Sequence, residues 1–151
     1  FVFDFDHTVT SAESAQCHDH LADVASVRDE MLRYLDFKGG GHPKLRGKPL
    51  QEWWRQVHAL LVEKRVTRRQ LEDVLDGRPI SLRPRAEDCL ETGLALKIPT
   101  VLVSAGLDYV IQKVLGRFPV CSVESQLDPT SSCVHCVANA VVFDRENDDV
   151  V

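Results

Sequence analysis

Two aspartates, one residue apart, close the first apolar run of the chain, FVFDFDHTVT, and they constrain the fold more than any other feature. Aspartate is a poor strand former. A strand that ends on two carboxylates therefore needs a reason to hold them there. Open parallel sheets supply one, because they bind ligands beyond the carboxyl ends of their strands. The expectation is a short buried strand over residues 1–5 that presents Asp4, Asp6 and Thr8 at such an edge.

A second strand end should meet the first. IPTVLVSAG is a β-branched run that stops on small residues, so Ser104, Ala105 and Gly106 should reach the same edge. Helices are expected around it, in RAEDCLETGLALK before and LDYVIQKVLGRF after, with short strands in PVCSVES and VANAVVF. Helix alternating with strand implies a parallel sheet joined by right-handed crossovers.

Between the two strand ends lies a block that is too long for one crossover. CHDHLADVASVRDEMLRYL carries Leu21, Val24, Val27, Met31, Leu32 and Leu35 at near-helical spacing. FKGGGHPKLRGKP reads as a flexible loop. LQEWWRQVHALLVEK reads as an amphipathic helix with Leu50, Trp53, Trp54, Val57, Leu60 and Leu61 inward. Thr67 is a good N-cap and Gly77 a good C-cap for RRQLEDVLD. The predicted fold class is α/β. Its core comprises residues 1–10 and 79–151, and residues 11–78 form an inserted helical cap. At 151 residues and 44% hydrophobic the chain can bury one such core.

The chemistry follows from the edge. One carboxylate of the Asp4–Asp6 pair can attack phosphorus while the other gives a proton to the leaving oxygen. Two negative charges facing a phosphate call for a divalent cation between them, and magnesium suits carboxylate and phosphate oxygens. Thr8 and Ser104 offer hydroxyls, and the amides near Ala105 and Gly106 offer N–H donors. The plainer alternative, a solvated turn after a strand, fits Asp4 and Asp6 alone but does not account for the second strand end.

Composition narrows the partners. A formal net charge of -5 disfavours a nucleic-acid polymer or an anionic membrane as the main partner. No run of 18 apolar residues and no leading basic-then-apolar segment are present, so neither a membrane span nor a signal peptide is expected. The five cysteines are odd in number and follow no framework spacing, so free thiols in a reducing compartment are expected. CVHC, at Cys133 to Cys136, could form half of a zinc site, with Cys17, His18 and His20 as the clustered candidates for the rest.

DFDHTVT resembles motif I of the haloacid-dehalogenase superfamily, D-x-D-x-T, and IPTVLVSAG resembles its motif II. Within that superfamily the chain is most similar to the pyrimidine 5'-nucleotidase family, also called cytosolic 5'-nucleotidase III. The likeness is carried by DFDHTVT, CHDHLAD, EWWRQVHALL, LRPRAEDCLETGLALKIPTVLVSAGLDYVIQKVL and VANAVVFDREND. Motif I is shared across the superfamily, whereas the EWW helix joined to SAG-LDYVI is much more specific.

The resemblance implies a haloacid-dehalogenase-like core under a helical cap. It implies magnesium-dependent hydrolysis of nucleoside 5'-monophosphates, pyrimidine ones favoured, in the cytoplasm and by a monomer. Asp4 would be the nucleophile that forms an aspartyl-phosphate, and Asp6 the general acid and then base. Asp4 and the backbone carbonyl of Asp6 would hold magnesium. Ser104 and Ala105 would contact the phosphate, and Glu52 the nucleoside. Trp53 and Trp54 are core candidates with a possible stacking role for one. His58 matches a family histidine, and His7 fills the variable slot of motif I.

The family also uses a later lysine and an acidic metal motif. Asp148 and Asp149 lack the Gly-Asp context of that motif, so the chain is expected to be a piece of a phosphatase. The alternatives are a diverged fold that binds a nucleotide without turnover, and a related phosphatase for another small phosphate ester.

Overall fold

The computed structural model describes residues 1–35, 50–116, 118–122 and 133–151. In chain order the elements are β1 (Val2–Asp4), a tight turn over Phe5–Val9, a 3-10 segment at Asp19–Asp23, α1 (Arg28–Leu35), α2 (Leu50–Glu63), α3 (Arg68–Gly77), α4 (Ala86–Ala95), β2 (Thr100–Leu107), α5 (Asp108–Val114), β3 (Val120–Ser122) and β4 (Val134–Asn139). The glycine-rich loop expected over residues 37–49 lies outside the described residues. Among the described residues no helix is long and apolar enough to cross a membrane.

The chain divides into two units, Phe1–Cys17 with Pro79–Val141, and His18–Arg78 with Val142–Val151. The sequence reading set the first boundary at 10/11 and kept the tail with the core. Residues 11–17 stay with the first unit because hydrogen bonds hold them there. Ser11 N–H donates to the Ser81 carbonyl at 2.9 Å, and Cys17 N–H to the Asp6 carboxylate at 3.0 Å. The tail belongs to the second unit because Val150 N–H donates to the Val66 carbonyl at 2.8 Å.

The first unit is built on a four-stranded sheet of order β1-β2-β4-β3, in which every pair is parallel. The β1–β2 register sets Val2 opposite Val101, Phe3 opposite Leu102 and Asp4 opposite Val103. Asp4, the last residue of β1, therefore lies level with the residue just before Ser104 on β2. Leu102, Leu107, Val134 and Cys136 are buried in the sheet, with Leu90 of α4 and Ile111 of α5 also buried. Gly93 lets α4 come close to β2, since a Cβ there would meet Thr100 Oγ1 at 2.8 Å.

Two expectations about the strands change. Among the described residues β1 is paired on one side only, and it is not buried: Val2 is 72% exposed. The last strand begins at Val134, inside CVHC, and ends at Asn139, before the expected Val141–Phe143. The reason is coverage. Val134, His135 and Cys136 are all buried between flanking strands, whereas Val142 is 58% exposed.

The second unit holds α1, α2, α3 and the tail. The single long helix expected from Cys17 onward is broken. Leu21 N–H bonds to His18 O, Val24 N–H to Leu21 O and Val27 N–H to Val24 O, each three residues back. Tight three-residue turns repeat their side chains every third position. They therefore bury Leu21, Val24 and Val27 as well as an α-helix would, and only then does α1 begin. Met31 is buried on α1, but Leu32 is 53% exposed, against expectation. On α2, Trp53, Val57, Leu60 and Leu61 are buried and Trp54 is half-buried.

Trp53 and Trp54 lie edge to face with centroids 4.6 Å apart, and His18 packs on both. His58 stacks at a tilt on Trp54 at 5.6 Å. The tail is held by Arg65, just before α3, which pairs with Asp149 at 2.8 Å, and by Arg68, the first residue of α3, which pairs with Asp148 at 2.9 Å. Those two aspartates thus serve as ion-pair partners within this unit.

Two expected outcomes follow from these contacts. Thr67 and Gln70 form a reciprocal capping box at the start of α3, with bonds of 3.2 and 2.9 Å. Thr67→Ala should cost about 1 kcal/mol in urea unfolding, and an unchanged midpoint would mean the cap contributes nothing. His58 Nε2 is buried with no hydrogen-bond partner among the described residues, and burial lowers its pKa below the ordinary histidine value. As pH falls from 7 toward 5 the unfolded chain takes up a proton that the folded one resists, so stability should fall. His58→Gln should make that pH dependence shallower, and an identical slope in the variant would remove His58 as its source.

Candidate active site

The turn after β1 is sharp. Asp6 (φ -65, ψ 125) and His7 (φ 60, ψ 8) take the dihedrals of the two central residues of a type II turn. His7 therefore stands in the left-handed region, an uncommon conformation for a residue other than glycine. The reversal brings Thr8 back to the strand end, and its hydroxyl donates to Asp4 Oδ2 at 3.2 Å. His7 N–H donates to Thr10 Oγ1 at 2.8 Å, and Thr10 N–H to the Phe5 carbonyl at 3.1 Å. The backbone that follows Asp4 is thus a turn, fixed by its own hydrogen bonds.

Residues distant in sequence fasten it further. Cys17 N–H donates to Asp6 Oδ1 at 3.0 Å. Arg83 donates twice, from Nη2 to the His7 carbonyl at 2.6 Å and from its backbone N–H to the Val9 carbonyl at 2.9 Å. Asp4 and Thr8 are exposed, and Asp6 is half-buried. The motif therefore presents one solvent-facing carboxylate and one that is partly enclosed and already oriented.

The second strand end is also irregular. The β2–β4 register shifts between Val103 and Leu107, which frees Ser104, Ala105 and Gly106 from regular pairing. Gly106 N–H donates to Ser104 Oγ at 3.0 Å. The Ser104 hydroxyl thus accepts from the backbone and keeps its own O–H as a donor, while the Gly106 amide, expected as a phosphate donor, is already used. Asn139, the last residue of β4, donates through Nδ2 to the carbonyls of Ala105 at 2.6 Å and Gly106 at 3.3 Å. Arg83 and Asn139 are not among the residues the sequence points to, and Cys17 is there only as a zinc candidate. For Asn139 a signal existed, a polar residue ending an apolar strand at the same edge. For Cys17 and Arg83 there was none.

Glu52 lies on α2 in the second unit. Arg55 grips both of its oxygens, Nε to Oε2 at 3.1 Å and Nη2 to Oε1 at 3.0 Å, and Gln56 Nε2 adds a bond of 3.0 Å to Oε1. Its carboxylate is held on the helix surface by neighbours one turn away.

The donors at the end of β1 are all oxygen, which fits magnesium better than a soft metal. Among the described residues no three His, Cys, Asp or Glu side chains gather, so Asp4 and Asp6 are two donors without a third. The zinc expectation also changes. Cys133 is disulfide-bonded, which departs from the expectation of free thiols and bars it as a thiolate ligand, while Cys17, Cys89 and Cys136 are free. Burial and the nearby Asp6 carboxylate push the Cys17 thiol pKa up, and burial raises that of Cys136 to about 11.

Known proteins resemble the chain in sequence and in fold. The chain is 24% identical, over 97% of its length, to a Caenorhabditis elegans protein named "Putative cytosolic 5'-nucleotidase 3". Its fold matches a HAD family hydrolase from Salmonella enterica serovar Typhi, with TM-score 0.64 and 18% identity over 99% of this chain. It also matches cytosolic 5'-nucleotidase IIIB bound to cytidine, with TM-score 0.68 and 20% identity over 99% of this chain. The chain spans 41% of the nematode protein and 42% and 52% of the two solved chains. These structural likenesses establish a haloacid-dehalogenase-type fold. Residues 44–148 match the family described as Pyrimidine 5'-nucleotidase (UMPH-1), and the chain belongs to that family.

Proposed function

We propose that the protein carrying this chain hydrolyses nucleoside 5'-monophosphates, pyrimidine ones favoured, to nucleoside and phosphate. The observation that carries the reading is the pairing of two irregular strand ends. The register levels Asp4 with Val103, so the turn bearing Asp4, Asp6 and Thr8 and the turn bearing Ser104 and Ala105 share one sheet edge. Family membership supports the substrate class, and the cytidine bound by the structural relative fits it. The name of the nematode relative favours a cytosolic setting.

Asp4 is the nucleophile. Its carboxylate oxygen attacks phosphorus, the bond to the nucleoside 5'-oxygen breaks, and an aspartyl-phosphate forms. The Thr8 hydroxyl on Oδ2 fixes the carboxylate and leaves the other oxygen to attack. Asp6 gives a proton to the departing oxygen and then takes one from the water that hydrolyses the intermediate. Its carboxylate is suited to that work because the Cys17 N–H holds Oδ1 and leaves the second oxygen for the proton. Ser104 donates its O–H to a phosphate oxygen, and Ala105 lies beside it. The Asp4 carboxylate and the Asp6 carbonyl would hold magnesium, which would neutralise charge on the phosphate.

We assign residues 18–78 the role of cap and Glu52 the role of reading the nucleoside. Glu52 is already paired with Arg55 and Gln56, so the pair would present a fixed carboxylate edge to an amino or ring N–H group. This division places phosphate chemistry and nucleoside selection on different units.

Two variants test it. Asp4→Asn should lower phosphate release on the order of a thousandfold or more, since an amide cannot carry the phosphoryl group. Near-normal turnover would remove the aspartyl-phosphate. Glu52→Ala should cost about 1–3 kcal/mol in kcat/KM on nucleoside monophosphates and leave a small aryl phosphate almost unaffected. Equal losses on both substrates would make Glu52 a support of the fold, and no loss on either would make it a surface residue.

A further inference from the structure

Cys17 touches both turns of the site. It is fully buried, with 0% exposure. Its N–H donates to Asp6 Oδ1 at 3.0 Å across eleven residues of chain. Its side chain fills the space that Gly106 leaves open, since a Cβ built on Gly106 would lie 2.7 Å from both Cys17 Cβ and Sγ. A buried thiol beside a carboxylate is a poor nucleophile, so what Cys17 contributes here is its place and its shape.

We infer that Cys17 is a positioning residue for Asp6, and that its close fit against Gly106 sets the carboxylate in line with the Ser104 turn. The inference rests on the proposed role of Asp6. An aspartate carboxylate turns through a broad torsional range unless something holds it. A backbone N–H bonded to one oxygen is a charge-assisted hold on that orientation. That N–H is itself only as well placed as the residue bearing it. Cys17 lies at the end of a loop, and its packing against Gly106 is what anchors it to β2. Glycine is required at 106 because any side chain there would displace Cys17 and carry the N–H with it.

The test exploits leaving groups. A nucleoside 5'-oxygen leaves poorly without a proton, whereas the phenolate of p-nitrophenyl phosphate leaves without one. A misplaced Asp6 must therefore harm the first substrate far more than the second. In the protein carrying this chain, Gly106→Ala should lower kcat on a nucleoside 5'-monophosphate about 10–100-fold and kcat on p-nitrophenyl phosphate by no more than about threefold. The new methyl also lies 3.2 Å from Ser104 Oγ, and disturbance there would appear as a KM increase shared by both substrates.

Cys17→Gly removes both atoms that the methyl strikes. Added to Gly106→Ala, it should recover roughly fivefold or more of the nucleotide rate, because residues in contact couple rather than add. Equal losses on both substrates, or a double variant that is slower than Gly106→Ala alone, would overturn the inference. If circular dichroism shows that Gly106→Ala does not fold, Cys17→Ala carries the test: about a threefold loss confined to the nucleotide supports the inference, and an even loss or none overturns it. Asp6→Asn separates the two levels. If it spares the nucleotide rate, the proposed role of Asp6 fails. If it removes that rate while the Cys17 and Gly106 variants show no leaving-group selectivity, only the positioning role fails.

Discussion

The parallel pairing of β1 with β2 is the interaction on which the site depends. It sets Asp4 opposite Val103, so two chain segments a hundred residues apart turn away from the sheet at one level. Sheet registers step in whole residues, and a slip by one would send each side chain to the other face. Leu102, fully buried opposite Phe3, resists such a slip by the loss of its apolar contacts. At about 25 cal/mol per Å² of apolar surface, a wholly buried leucine is worth roughly 1.5–3 kcal/mol. One core residue next to the strand end thus helps fix where the Asp4 carboxylate stands.

Beyond the strand ends regular pairing stops, and the geometry passes to individual hydrogen bonds. The turn at Asp6 and His7 holds a non-glycine residue at φ 60, a conformation with a real cost for an L-amino acid. Arg83 offsets it by bonding the His7 carbonyl and the Val9 carbonyl together. Asn139 acts in the same way at the other strand end, where the β2–β4 register shifts and its side chain bonds the carbonyls of Ala105 and Gly106. Each irregular turn is satisfied by a side chain from another part of the first unit. This is the condition under which irregular backbone can persist at an edge.

The sequence carried the fold at the level of pattern. The β-branched run before Ser104, the helical spacing in EWWRQVHALLVEK and the capping signal of Thr67 each express a local rule, and each element formed. Local rules failed where two structures share one spacing. Leu21, Val24 and Val27 recur every third residue, and tight turns bury that repeat as readily as an α-helix does. They failed again at VHCVAN, because a strand flanked on both sides needs no alternation, and the apolar run after it only resembled a strand. Asp4, Asp6, Thr8 and Ser104 stood out as candidates because the proposed chemistry asks for their residue types. Cys17 and Arg83 did not stand out for this edge, since backbone hydrogen bonds from distant residues leave no trace in composition or spacing.

The same contrast explains the two acidic clusters of the chain. Asp4 and Asp6 stand where a strand ends, bonded to neutral donors, a hydroxyl and an N–H. Asp148 and Asp149 stand beside Arg68 and Arg65, each bonded to a guanidinium. A carboxylate paired with an arginine has its charge balanced and is poorly disposed to bind a cation or attack phosphorus. One held by neutral donors keeps its full charge and its orientation. Sequence alone presents both as aspartates close together. The identity of their partners separates a site that can do chemistry from a brace that holds the tail, and here those partners are supplied by tertiary structure.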